Sequence, residues 1–261
     1  MQYGTILENT NIKGAYYRIR FYHPDIAAAA VGGQFVHVRI NSLEAHLLRR
    51  PFSIHNTDVN DNSVTVVYKV VGEGTKAMSA LKVGDVCDLL GPLGVGYSPI
   101  DDDTVPVFVA GGYGSAAMYL TARNARQKGV LMLGARTDAD VILDDAYAAL
   151  DYDCRIATND GSRGKKGFVT ELLDGVLKDY ADKKLIFCAC GPHPMLIALS
   201  KLLQEKKLAG EISLDSWMCC GVGSCFGCVV KVNANNEQHW RYARSCKDGP
   251  VFNVNDIYVG E

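Results

Sequence analysis

No run of apolar residues in this chain approaches the ~18 needed to cross a bilayer as a helix, so a helical membrane span is not expected. Neither sign of charge is in excess: 27 Lys and Arg stand against 29 Asp and Glu, a formal net charge of −2. Without a global basic field, nucleic-acid binding is not expected either. There is no internal repeat, no low-complexity tract and no long charge run. Met1-Gln2-Tyr3-Gly4 enters a strand-like segment without the apolar core of a signal peptide, so the expectation is a cytoplasmic protein with reduced thiols. The strict G-x-G-x-x-G dinucleotide fingerprint is missing as well. What is left is an ordinary globular balance, 48% hydrophobic and 21% charged over 261 residues, room for one to three compact units.

Cysteine departs from this plainness. Of nine cysteines, five fall between positions 219 and 246. From Cys220 the spacing reads C-x4-C-x2-C (Cys220, Cys225, Cys228), and Cys246 follows after seventeen intervening residues. That is the plant-type [2Fe–2S] spacing. Gly221, Gly223 and Gly227 let the intervening loop turn tightly, and Arg244 to Pro250 reads as the turn that delivers Cys246. A structural zinc site is the competing assignment, but it usually uses two C-x2-C-like hooks, and only Cys225 and Cys228 form one. A disulfide pair is disfavoured because nothing marks the chain as secreted. Taking Cys219 in place of Cys220 gives C-x5-C, off pattern, so Cys219 is read as a packed thiol or as one just outside the ligands.

Three regions follow from periodicity. Residues 1–98 read as an all-β unit: 15–21, 34–40 and 63–70 alternate with β-rich residues, separated by turn residues at 23–25, 32–33 and 58–62. Ala27 to Ala30 is a short alanine patch and no more. Thr75 to Leu81 reads as a short helix, and Gly91-Pro92-Leu93-Gly94 as a turn cluster closing the unit. Here Arg50 offers a donor fork suited to phosphate, Pro51 sets a strand edge, and Ser53 can hydrogen-bond a ring or ribose. Gly74-Thr75 stands where a helix begins, a place that attracts anions but equally a plain cap.

Residues 99–209 switch to α/β. Thr104 to Ala110 is a buried-strand run, followed by Gly111-Gly112-Tyr113-Gly114 and a helix expected from Ala116 to Lys128. Strand, glycine turn, helix suits a dinucleotide phosphate, or else a tight turn. Thr158-Asn159-Asp160-Gly161-Ser162 ends another strand, and a helix is expected from Phe168 to Leu177. Cys190-Gly191-Pro192 follows the last buried strand, at the carboxyl end where open α/β sheets bind ligands. Pro194 suits the start of a helix to Lys206, with His193 as a cap residue. Residues 210–261 carry the cysteines and a hairpin, 228–232 with 240–244.

Taken in order, Arg50-Pro51-Phe52-Ser53, Val67-Tyr68-Lys69, Gly74-Thr75 and Gly91-Pro92-Leu93-Gly94 resemble the flavin domain of the ferredoxin–NADP reductase superfamily. The resemblance implies an antiparallel β-barrel with FAD against the Arg-Pro-x-Ser segment and its pyrophosphate on the glycine–threonine step. Gly111, Gly112, Gly114, Thr158, Asp160, Gly161, Cys190, Gly191 and Pro192 resemble the parallel-sheet nicotinamide domain of that superfamily, which implies Cys190 beside the hydride-transferring carbon. Tyr113 and Ala117 depart from its pattern, standing where the family has a small residue and a proline. With the Cys-Gly-x-Gly-x-Cys-x-x-Cys module and the closing Cys-x-Asp-Gly-Pro-Val-Phe, nearly the whole chain resembles the electron-transfer subunits of class 1B dihydroorotate dehydrogenases.

That family implies FAD, a [2Fe–2S] cluster and NAD as substrate. It also implies a partner subunit holding FMN and the dihydroorotate site, with two copies of each subunit. No residue here resembles a general base for dihydroorotate, in keeping with that chemistry lying on the partner. A related group, the small subunits of NADH-dependent ferredoxin–NADP oxidoreductases, typically has Asp at the position of Cys220. The alternatives are therefore a similar flavoprotein serving ferredoxin, hydrogenase or sulfite reductase, or a non-enzymatic metal-binding module. NAD against NADP stays open: Arg136 suits a 2′-phosphate, while Asp138 and Asp140 oppose one.

Overall fold

The computed structural model describes residues 3–40 and 48–260. Among these, six strands form a closed antiparallel barrel: β1 (Tyr3–Lys13), β2 (Tyr16–Tyr22), β3 (Phe35–Arg39), β4 (Arg50–Asp58), β5 (Ser63–Lys69) and β6 (Val86–Leu93), ordered β1-β2-β5-β4-β3-β6. Alternation places Ile19 and Phe21, Val36 and Val38, and Val64 and Val66 in its interior, all fully buried. Closure pairs β1 with β6 and leaves no open edge. The turn expected at 91–94 is instead largely strand, since β6 runs through Leu93 and pairs with Phe35. The alanine patch is part of a short helix, α1 (Pro24–Ala29), with proline in its first turn and the His23 ring accepting the Ile26 N–H. A second helix, α2 (Glu73–Ser79), starts two residues earlier than expected, because the Thr75 hydroxyl caps the Val71 and Gly72 N–H groups.

The rest of the chain builds a sheet ordered β10-β9-β8-β7-β11-β12-β15. Its strands are β7 (Val105–Gly111), β8 (Val130–Ala135), β9 (Asp153–Thr158), β10 (Lys165–Lys166), β11 (Leu185–Cys190), β12 (Gly210–Ser213) and, after the hairpin β13 (Val229–Asn233) and β14 (Trp240–Arg244), the edge strand β15 (Val251–Asn253). All pair in parallel except β15, which runs antiparallel to β12. Both flanks of the cysteine-bearing stretch are thus strands of this sheet, and the stretch is an excursion between them. Helices α3 (Gly114–Asn124), α4 (Asp144–Ala148), α5 (Leu173–Asp179) and α6 (His193–Glu205) cover the sheet. Helix α3 stops short of Lys128 because that ammonium reaches back to the Ala122 and Ala125 carbonyls at 3.2 and 2.7 Å. The helix expected from Phe168 begins as a 3-10 turn (Val169–Leu172) before α5.

Barrel and sheet meet along α3 and the rim of β4. His55 lies under α3, its Nδ1 3.1 Å from the Ala116 carbonyl and its ring stacked on Tyr119 at 4.5 Å. Arg123 reaches the other way, to Asn56 Oδ1 at 2.5 Å and the Thr57 carbonyl at 2.8 Å. On the far side Lys69 and Tyr16 converge on Asp140, at 2.6 and 2.7 Å, and Lys13 meets Asp138 at 3.2 Å.

Burial lowers His55 to about 4 from its ordinary 6.5, the Ala116 carbonyl opposing and the Arg18 and Arg123 charges assisting. The folded protein therefore refuses a proton that the unfolded chain accepts between those values. Stability is full above about pH 6.5 and falls as pH drops toward 4, by up to about 1.4 kcal/mol per unit for this group. The melting temperature should drop on moving from pH 7.5 to pH 5, and the drop should be smaller in His55→Gln. Equal drops in the two proteins would remove His55 from the acid sensitivity.

Candidate functional site

The carboxyl ends of β7 and β11 open toward the barrel, and a cavity of about 260 Å³ lies between them. Its barrel wall is Phe35, Pro51, Phe52, Ser53, Val67, Tyr68, Lys69, Val71 and Thr75. The opposite wall is Tyr113, Ala116, Ala117 and Cys190, and Asp215, Ser216 and Met218 close the third side. A larger cleft of about 1120 Å³ adjoins it, sharing Pro51, Phe52, Thr75, Tyr113, Asp215 and Met218 and adding Arg50, His193, Trp217 and Tyr258.

The barrel wall explains its own composition. Phe52 meets Tyr68 edge to face at 5.9 Å, and Tyr68 stacks on Tyr17 at 5.7 Å, giving an aromatic floor. The Tyr68 hydroxyl donates to Asn9 Oδ1 at 3.1 Å, and burial pushes it well above its usual range, so it stays protonated. Arg49 is drawn away into an ion pair with Asp88. Arg50 instead lies across the start of α2: a Cβ on Gly74 would sit 2.3 Å from its Nε. Glycine at 74 is thus the condition for a guanidinium beside the Gly72–Thr75 turn, an arrangement suited to a phosphate. Lys69 lines the cavity while its ammonium is held by Asp140.

Across the cleft, two loops pack too closely for side chains. A Cβ on Gly114 would fall 2.0 Å from the Cys190 carbonyl oxygen, and one on Gly111 2.4 Å from Pro192 Cδ. A Cβ on Gly191 would meet the Gly111 backbone at 2.8 Å, while Gly112, at φ +54, faces open space. The Cys190 thiol is buried and held well above its ordinary range, by desolvation first and by Asp215 next. It is a neutral thiol, not a nucleophile.

Thr158, Asp160 and Gly161 line neither cavity. They close a turn on themselves: Thr158 bonds both backbone groups of Arg163, and Asp160 accepts from the Ser162 N–H and hydroxyl. Asp138 and Asp140 are tied to Lys13, Arg163, Lys69 and Tyr16.

Asp215 escaped the sequence reading. It follows β12, and only the sheet order, which sets β12 beside β11, brings it to the Cys190 thiol. It is exposed toward the cleft, and desolvation raises its carboxyl to about 6, Ser213 opposing. Burial similarly lowers His37 on β3 to about 4, with the Arg49 charge adding to the effect.

The cysteine loop sits at the mouth of the cleft. Gly221 and Gly223 take positive φ, +70 and +84, so the backbone curls and turns N–H groups inward. Arg244 braces it, donating to the Gly223 carbonyl at 3.0 Å while paired with Asp248. The thiols of Cys220 and Cys225 face each other, as do those of Cys228 and Cys246. Burial opposes ionisation of Cys220, but N–H groups of Val222, Cys225 and Ser224 overcome it and bring the thiol to about 6. Burial pushes Cys246 up to about 12, the facing Cys228 reinforcing it. Cys219, expected either to be packed or to lie just outside the ligands, is exposed and lies against Cys225.

Among the described residues no three metal-ligating side chains gather round one point. A mononuclear zinc needs all four sulfurs round a single ion. Two facing pairs suit two irons that take two thiolates each.

The family model for the iron–sulfur cluster binding domain of dihydroorotate dehydrogenase B matches residues 215–258, and that for an oxidoreductase FAD-binding domain matches residues 6–97. The dihydroorotate dehydrogenase B (NAD(+)) electron transfer subunit of Fusobacterium nucleatum is 35% identical, over 98% of this chain and 97% of its own. That of Desulforamulus reducens is 38% identical over 90% of each chain. A solved structure of an NADH-dependent reduced ferredoxin-NADP oxidoreductase superposes with a TM-score of 0.82 at 28% identity, covering 98% of this chain and 89% of the other. The chain belongs to the family of electron transfer subunits of dihydroorotate dehydrogenase B.

Proposed function

We propose that this chain carries electrons from the FMN of a dihydroorotate-oxidising partner, through a [2Fe–2S] cluster and FAD, to NAD+. The observation that carries the reading is the placement of the two cysteine pairs. Phe35 and Met218, which wall the 260 Å³ cavity, also pack against the buried Cys228 and Cys246. One layer of side chains therefore separates the cavity from these sulfurs.

Within this reading the functional units are a flavin-binding unit (1–98), a nicotinamide-binding unit (99–209) and a cluster module (210–261). Arg50, Pro51, Phe52, Ser53, Val67, Tyr68, Lys69, Gly74 and Thr75 hold FAD, with the pyrophosphate at Arg50 and the Gly74-Thr75 turn. Gly111, Gly112, Gly114, Gly191 and Pro192 shape the nicotinamide approach, and Thr158, Asp160 and Gly161 border the far end of the dinucleotide. Cys190 presents a neutral thiol to the reacting face, and Asp215 sets the polarity beside it. Cys220 with Cys225 takes one iron, and Cys228 with Cys246 the other. Bound FAD supplies both two-electron exchange with nicotinamide and single-electron exchange with a cluster. The protein's share is to hold the cofactors close and in order, and to keep water from the floor with Phe52 and Tyr68.

The partner is an FMN-containing catalytic subunit, two copies of each subunit assembling in the cytoplasm. No helix among the described residues is long and apolar enough to cross a membrane. Around the cysteine loop Trp217 is 93% exposed, and Val222, Phe226 and Tyr242 are exposed too. Such a patch suits a partner surface.

Cys225→Ser should lose the cluster's visible absorption and partner-coupled activity, yet retain NADH reduction of FAD with artificial acceptors. Surviving partner-coupled turnover without the cluster would refute the proposed route. Gly74→Ala should displace the Arg50 fork and weaken FAD retention by about tenfold or more, the scale of one charged hydrogen bond. Flavin fluorescence released on dilution measures this, and parental retention would remove Arg50 and Gly74 from the site.

A further inference from the structure

His37 has no part in the reading so far. It is 1% exposed, and its Nε2 has no hydrogen-bond partner. Buried polar atoms are nearly always paired, and leaving one unpaired is costly. The position of the ring supplies a reason. A Cβ built on Gly221 would fall 2.7 Å from His37 Cε1, 2.8 Å from Nδ1 and 2.9 Å from Nε2. Three nearly equal distances set that Cβ over the face of the imidazole, above its Nδ1–Cε1–Nε2 half. The ring therefore lies flat under the residue that follows Cys220, with the unpaired Nε2 buried at the cysteine loop.

The side chain two positions earlier repeats the pattern. Phe35 meets His37 edge to face at 5.7 Å and packs against Cys228 and Cys246. One face of β3 therefore puts a ring under each cysteine pair: an apolar one under Cys228 and Cys246, and one with an unsatisfied nitrogen under the loop of Cys220 and Cys225. Packing alone would be served by a second apolar ring. Glycine at 221 admits this ring at φ +70, where a side chain would be both strained and in collision.

We propose that His37 is a positioning residue for the iron–sulfur cluster, donating its Nε2–H to sulfur on the Cys220 side and raising the cluster's reduction potential. The proposal rests on the reading that Cys220, Cys225, Cys228 and Cys246 hold a two-iron cluster. Hydrogen bonds to the sulfurs are one of the levers by which a protein sets the potential of such a cluster. They stabilise the more negative, reduced form. A neutral imidazole has one N–H to give and needs no change of protonation to give it.

The test is a redox titration of the purified holoprotein, followed by the electron paramagnetic resonance of the reduced cluster and by FAD absorbance, in parent, His37→Leu and His37→Gln. Leucine keeps apolar bulk and removes the donor; glutamine restores an N–H. At a fixed poise near the parental midpoint, His37→Leu should lower the reduced-to-oxidised ratio of the cluster by about tenfold, ~59 mV for one electron. FAD should titrate as in the parent, and His37→Gln should lie close to the parent. A parental potential in His37→Leu, or an equal fall in both variants, would overturn the proposal. If His37→Leu fails to retain iron, His37→Gln decides: parental iron and potential support the donor role, and loss of either overturns it. Iron analysis of the unmodified protein separates the two levels, since a parent without a two-iron signal fails the underlying reading and not the role of His37.

Discussion

The antiparallel zipper of β15 on β12 is the contact that the site cannot do without. It is short, Glu211–Ser213 against Val251–Asn253, yet it clamps both ends of the cysteine excursion to the edge of the sheet. Supplementary bonds extend it: the Leu214 N–H to the Pro250 carbonyl at 2.8 Å, and the buried Ser245 hydroxyl to the Leu214 carbonyl at 2.8 Å. From there the turn reaches the barrel, where Val95 N–H meets the Gly249 carbonyl at 2.6 Å. The barrel, the sheet and the cysteine stretch are thereby held at one corner. Released from it, Asp215, Ser216 and Met218 would leave the cavity wall and Cys246 would leave Cys228. Electron transfer falls steeply with distance, so the corner matters more than its small area suggests.

A second set of contacts fixes the opposite side of the cleft. Lys13, Tyr16 and Lys69 of the barrel bind Asp138 and Asp140 of the α/β unit. Most of these groups are partly exposed, so each pair is worth little in isolation. Their value is geometric, because they oppose the α3–β4 seam across the cleft and resist its opening. Asp138 and Asp140, expected to oppose a 2′-phosphate near Arg136, are already engaged by Lys13, Arg163 and Lys69.

How much of this was legible beforehand depended on range in sequence. The cysteine spacing is local, and so is the alternation of Val64 to Val70 or the glycine turn after β7; each was readable without knowing the fold. The helix over Pro24–Ala29 was obscured because six residues give too little periodicity to tell a helical turn from a loop. The last residues of β6 were mistaken for a turn because glycine and proline usually punctuate, whereas here they stand where the strand runs against Phe35. Asp215 and His37 were illegible for another reason. One becomes part of the cleft only when β12 docks beside β11, and the other meets the cysteine loop only when the barrel closes. A lone aspartate after a strand and a lone histidine within one carry no local signature.

The strand β3 shows how one short segment serves two tasks through the pleat. Val36 and Val38 point inward and hold the barrel, while Phe35 and His37 point outward to the cysteine loop. Barrel stability and cluster environment are therefore written on alternate residues of five. A change at Val36 or Val38 would be felt as lost core packing, about 1 kcal/mol or more for each methyl group removed. A change on the other face leaves the barrel interior intact and alters what lies beneath the sulfurs and, at Phe35, the wall of the cavity. This division separates what lies beneath the cysteine loop from what holds the barrel together, and it places both on one strand that also walls the cavity.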